Sequence, residues 1–146
     1  MKVLYMLGLC LLTLLGCQSD SPTDWQTLDF GPFSLKAPPD WRKETYPPTA
    51  SYIGGLSNGR TFLVFDYGLS GIRYANWFRQ AHGQINVLVD GRPGLLLEPR
   101  VRQTDAFMLY VYVDSVTDFT LSGMATDDND VATIRRIFTS VRFTKP

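Results

Sequence analysis

Past its first two dozen residues, the chain shows repeated alternation of apolar and polar positions. Phe33, Leu35 and Ala37 alternate with Ser34 and Lys36 until Pro38-Pro39 stops the run, the pattern of a half-buried strand. Ser51-Tyr52-Ile53-Gly54-Gly55-Leu56 comes next. The Ser57-Asn58-Gly59 turn then leads into a continuous apolar run, Phe62-Leu63-Val64-Phe65. Ile85, Val87 and Val89 alternate up to Asp90-Gly91, a favoured two-residue hairpin signal, and Leu95-Leu96-Leu97 returns from it. Residues 107–113 and 119–125 predict two more strands joined by a short loop around Asp114-Ser115, and Val141 and Phe143 alternate as a last one. These connections are too short for parallel crossovers, so the predicted sheet is largely antiparallel.

Two segments follow the helical period instead. Tyr74, Trp77, Phe78 and Ala81 fall at i, i+3, i+4 and i+7, with Ser70 upstream and Gly83 as a stop. A second helix begins at Asp127-Asp128-Asn129-Asp130 and carries Val131, Ile134 and Phe138 on one stripe, with Arg135 and Arg136 off it. Acids at its start and arginines towards its end both complement the helix dipole. The expected class is α+β, a largely antiparallel β-sheet packed by helices. No repeat or low-complexity break divides residues 25–146, which predict one domain with a core large enough to need no disulfide.

The amino terminus follows different rules. After Met1-Lys2, residues 3–15 are almost wholly apolar. As a helix they reach about 20 Å, short of the roughly 30 Å hydrocarbon core, which suits a signal-peptide core better than a permanent span. Leu14-Leu15-Gly16-Cys17 resembles the lipobox of bacterial lipoproteins, although Leu15 stands where that pattern more often has a small or β-branched residue. The resemblance implies diacylglycerol transfer to the Cys17 thiol, cleavage between Gly16 and Cys17, and often acylation of the new amino terminus. An ordinary cleaved signal with an incidental cysteine is the alternative, and the A-x-A site it calls for is absent. Two or three acyl chains on Cys17 would hold the protein at the membrane, since each buried CH₂ contributes about 0.8 kcal/mol. The expected organisation is therefore a leader over 1–16, a lipidated tether over 17–24 and the domain over 25–146. By resemblance to lipoproteins of Gram-negative hosts, Gln18 after the cysteine directs such a protein to the outer membrane, facing the periplasm.

Composition narrows the function classes. The 146 residues carry 14 Lys+Arg and 14 Asp+Glu; losing Lys2 with the leader leaves 13 basic residues and a net charge of −1. That gives no electrostatic case for nucleic acid. Cys10 and Cys17 are the two cysteines. One lies in the leader and the other is the lipid attachment point, so the domain is expected to be free of thiols.

A family resemblance emerges along the domain. Phe30-Gly31-Pro32-Phe33-Ser34-Leu35, followed by Ala37-Pro38-Pro39-Asp40-Trp41, looks like the opening of Mog/PsbP-like domains: a strand, a proline-rich stop, then a tryptophan. The helix-to-strand ending of those domains is matched by Ile134 to Phe143. Ser51-Tyr52-Ile53-Gly54 and Phe65-Asp66-Tyr67-Gly68 are similar to segments of small bacterial lipoproteins. The resemblance implies an α/β/α sandwich around an antiparallel sheet, and little about function.

Catalytic constellations are not evident. His82 is the only histidine, which excludes a multi-histidine metal site, and Gly68-Leu69-Ser70-Gly71 is one residue short of a G-x-S-x-G nucleophile context. His82 reads as a polar residue in the last turn of its helix. Asp127-Asp128-Asn129-Asp130 lacks the spacing and glycine of a calcium loop and reads as an N-terminal helix cap. Gly54-Gly55 and Asn58-Gly59 belong to turns, not to a phosphate loop. Arg100-Val101-Arg102, with Arg92, predicts a basic stripe at a sheet edge that discourages unwanted pairing. No catalytic residue, metal or cofactor is expected.

Recognition falls to the aromatic set Trp41, Tyr46, Tyr52, Tyr67, Tyr74 and Trp77, whose alternative role is core packing. Asp66-Tyr67-Gly68, expected just after a buried strand, makes Asp66 and Tyr67 with Tyr74 and Trp77 the predicted binding residues. The expected function is a lipid-anchored, non-enzymatic envelope protein that binds an envelope protein partner or assists assembly. A small-ligand carrier or sensor with an aromatic pocket is the alternative, and an envelope hydrolase a third.

Overall fold

The computed structural model describes residues 24–47, 49–68, 82–101 and 106–144. The expected leader, the lipobox Leu14-Leu15-Gly16-Cys17 and the helical stripe with Tyr74 and Trp77 lie outside the described residues.

Ten strands and one helix make up the described chain: β1 Gln26–Asp29, β2 Phe33–Ala37, β3 Arg42–Thr45, β4 Tyr52–Ser57, β5 Phe62–Gly68, β6 His82–Val89, β7 Arg92–Pro99, β8 Phe107–Tyr112, β9 Asp118–Gly123, α1 Asp128–Thr139 and β10 Arg142–Phe143. Seven strands form one sheet in the order β3-β4-β5-β9-β8-β7-β6, and three form a smaller sheet in the order β1-β2-β10. Every pairing is antiparallel, and the class is α+β with strand predominating.

One face of the large sheet holds the main core. Leu63 and Phe65 on β5, Phe119 and Leu121 on β9, and Leu109 and Val111 on β8 point to it. Phe33 and Leu35 of the small sheet and Val131, Ile134, Ile137 and Phe138 of α1 pack against them. Helix α1 starts where the run of acids predicts: the Asp127 side chain caps it by accepting from the Asp130 N–H at 2.8 Å. Its off-stripe arginines are engaged too. Arg135 makes a bidentate pair with Glu98 at 2.6 Å on both arms, and Arg136 lies 4.2 Å over the Trp25 ring.

Several boundaries differ from the alternation. Strand β5 runs on to Gly68, so Asp66 and Tyr67 are strand residues and not a loop after it. His82, expected in a last helical turn, opens β6, because pairing with Pro99 extends that strand beyond the Ile85 start of its apolar alternation. β7 spans Arg92–Pro99 inside the sheet, between β6 and β8, so Arg92 and Arg100 do not flank an edge strand; Arg102 lies outside the described residues. β1 and β3 were not predicted, since Gln26–Asp29 and Arg42–Thr45 are short and mostly polar. β3 is an edge strand with all four residues exposed, where apolar alternation has no reason to appear.

Candidate functional site

Alternation in a strand sends neighbours to opposite faces. While Leu63, Phe65 and Tyr67 look into the core, Phe62, Val64 and Asp66 look out of the second face of the sheet. Register then aligns their partners. Ile53, Asp66 and Thr120 stand opposite one another across β4, β5 and β9; Val64, Ser122 and Met108 form the next row across β5, β9 and β8. These residues line a cavity of about 290 Å³. A wider one of about 690 Å³ continues from Val64 and Ser122, lined further by Phe62, Met124, Ala125 and Arg60. Together they make an apolar trough across the second face with a single carboxylate near one end.

Asp66 is the distinctive group. Its Oδ1 is buried and has no hydrogen-bond partner. Burial raises the carboxyl above its ordinary pKa, and a hydrogen bond with the Ser51 side chain offsets part of that rise. At the other end, Arg60 is already committed: its guanidinium lies 2.7 Å from Asp130 Oδ1 and 3.6 Å from Asp127 Oδ2. It does not serve Asp66.

Other polar groups on this face are buried beside the trough. Burial pushes the Tyr110 hydroxyl above its ordinary value, and the neighbouring Asp118 carboxylate and Tyr112 hydroxyl add to the rise. His82 is buried, with Nε2 2.9 Å from the Ala106 carbonyl oxygen. Among the described residues no group of three or more His, Cys, Asp or Glu side chains could hold a metal ion. Nor is any helix among them long and apolar enough to cross a membrane.

The predicted site residues part company in space. Asp66 lines the trough, while Tyr67 faces the other way, packing with Phe33 (ring centroids 6.1 Å apart) and Phe119 (6.5 Å). Tyr74 and Trp77 lie outside the described residues. Trp41 is a fully buried core side chain. Tyr52 is partly exposed but sits edge-on to Phe65 at 5.2 Å, and Tyr46 is tilted against Phe62 at 6.2 Å. Thr120, Ser122, Ile53, Val64 and Met108 were missed. A signal for two of them exists: in Phe119-Thr120-Leu121-Ser122 the hydroxyls alternate with core residues and so share the opposite face.

No family model matches the chain, and no curated protein matches it. Among solved structures, a protein from Bacteroides thetaiotaomicron VPI-5482, crystallised and determined at 1.50 Å, resembles it with a TM-score of 0.50 at 9% identity. The likeness covers 78% of this chain and 46% of that one, so this chain spans about half of its neighbour's length, and it speaks to fold alone.

Proposed function

We propose that this protein is a lipid-anchored, non-enzymatic protein of the bacterial cell envelope whose α+β domain binds through the second face of its large sheet. The observation that carries the binding reading is the apolar trough over β4, β5, β9 and β8, with one partly buried carboxylate set among apolar and hydroxyl side chains. Concave, mostly apolar surfaces with a few placed polar groups are what ligand sites look like. A small-ligand carrier or sensor is favoured over an assembly accessory by the unpartnered Asp66 Oδ1, a group suited to a specific ligand atom. Hydrolysis is disfavoured because Asp66 is the one titratable group among the described residues lining the 290 Å³ cavity, whereas that chemistry needs several converging.

The anchor rests on Leu14-Leu15-Gly16-Cys17, with the domain tethered to the membrane through lipidated Cys17 and, in a Gram-negative host, held at the outer membrane facing the periplasm. The finer Mog/PsbP-like α/β/α sandwich reading rests on the sequence patches at Phe30 to Trp41 and Ile134 to Phe143. Metabolic labelling with a fatty acid tests the anchor: wild type takes up label and Cys17→Ala does not. Equal labelling of both would show that Cys17 is not the attachment point.

A further inference from the structure

Burying a carboxylate oxygen that accepts no hydrogen bond is unfavourable, and native chains rarely leave such a group unpaired without use for it. Asp66 Oδ1 is such a group. It belongs to a cavity of about 290 Å³ in which no other described lining residue carries a charge. The nearest cation in the trough, Arg60, is held by Asp127 and Asp130. Thr120 stands directly opposite Asp66 in the register and Ser122 one row away, so hydroxyls flank the carboxylate. Beyond them the wall turns apolar, through Val64 to Phe62 and Met124.

We propose that the Asp66 end of the trough is a binding subsite for a small-molecule primary ammonium on a short aliphatic body. Asp66 takes the ammonium, the hydroxyls of Thr120 and Ser122 complete its shell, and Val64 with the apolar wall covers the chain. An anion is repelled by the carboxylate, and an alcohol leaves its charge uncompensated. A guanidinium prefers both carboxylate oxygens in one plane, and the Ser51 side chain already bonds to this carboxyl. The proposal rests on the reading of the trough as the binding surface.

The test uses the full chain in lipid nanodiscs, with isotope-labelled methyl groups at Ile53, Val64 and Met108, titrated with four probes against an empty-nanodisc reference. The probes are pentylammonium, 1-pentanol, pentanoate and a blocked Gly-Lys-Gly peptide. Pentylammonium is expected to shift these methyl signals and to bind at least about tenfold tighter than 1-pentanol, the scale of one charge-assisted hydrogen bond. Asp66→Asn should erase that difference. Equal binding of pentylammonium and 1-pentanol, or preference for pentanoate, overturns the subsite and leaves the trough reading standing. A lysine peptide that binds as tightly as pentylammonium overturns the small-molecule assignment. If no probe moves the methyl signals, the trough reading fails together with the subsite. The wild-type series decides between these outcomes even if the variant does not fold.

Discussion

Burial alone would raise the Asp130 carboxyl, but hydrogen bonds from the Thr126 hydroxyl and N–H and from Arg60 outweigh it and hold the group below its ordinary pKa. The Thr126 N–H donates to Oδ2 at 3.0 Å and Arg60 Nη2 to Oδ1 at 2.7 Å, tying the β5 approach to the start of α1. A carboxyl with a lowered folded pKa contributes stability that is present above the unfolded value and lost as pH falls through the folded one. Urea stability of wild type should therefore drop on acidification below about pH 4, and Asp130→Ala should flatten that drop. At neutral pH the same substitution should destabilise by about 2 kcal/mol, because it leaves the Thr126 groups without their acceptor. Asp66 has the opposite sign. Its raised pKa means that ionisation opposes folding at neutral pH and the penalty lifts as pH falls through the folded value. Both are aspartates in half-polar sequence contexts. Which one is satisfied depends on neighbours that are 4 to 70 residues away for Asp130 and, for Asp66, on a cavity wall drawn from four strands.

Strand and turn chemistry is the level at which the chain is easiest to read. Asp90-Gly91 takes positive φ at both positions, 52° and 75°, as a two-residue turn between β6 and β7 requires. Asp127 caps α1, and the stripe Val131, Ile134, Phe138 is buried. The misses are also local in cause. β1 and β3 bury little, so no apolar period marks them, and β5 and β6 are lengthened by pairing with a partner rather than by their own pattern. Gly54 shows what pairing adds. A Cβ at that position would come within 2.5 Å of the Phe65 ring, which is itself buried against Phe30 and Phe33. Gly54→Ala should destabilise by about 1–3 kcal/mol, the usual range for overpacking, measured as a shift in the denaturant midpoint.

At the scale of the molecule, the small sheet and α1 cover one face of the large sheet, and aromatic packing binds the layers. Phe33 stacks on Phe30 at 5.0 Å and meets Phe65 at 4.9 Å and Phe119 at 4.7 Å. It therefore ties the small sheet, to which it belongs, to β5 and β9 at once. Phe33→Ala should cost about 3–5 kcal/mol, a large share of the 5–15 kcal/mol typical of a domain, and should lower a single cooperative unfolding transition rather than split it. Two transitions in a chemical melt would show that the small sheet is not coupled to the large one.

Covalent order and side-chain alternation determined much of this by themselves: the α+β class, most of the strands, the capped helix, and which residues of each strand share a face. These follow from local propensity and a period of two, which need no knowledge of distant partners. The candidate site was legible only as far as Asp66. Tyr67, its neighbour in the chain, is sent to the core by the same alternation that sends Asp66 outward. Only the tertiary structure decided that Ile53, Thr120, Ser122 and Met108 meet Asp66, because strand order and register are set by the packing of the whole sheet and by chain segments far apart. The buried, unpartnered oxygen exists only once those strands have closed around it.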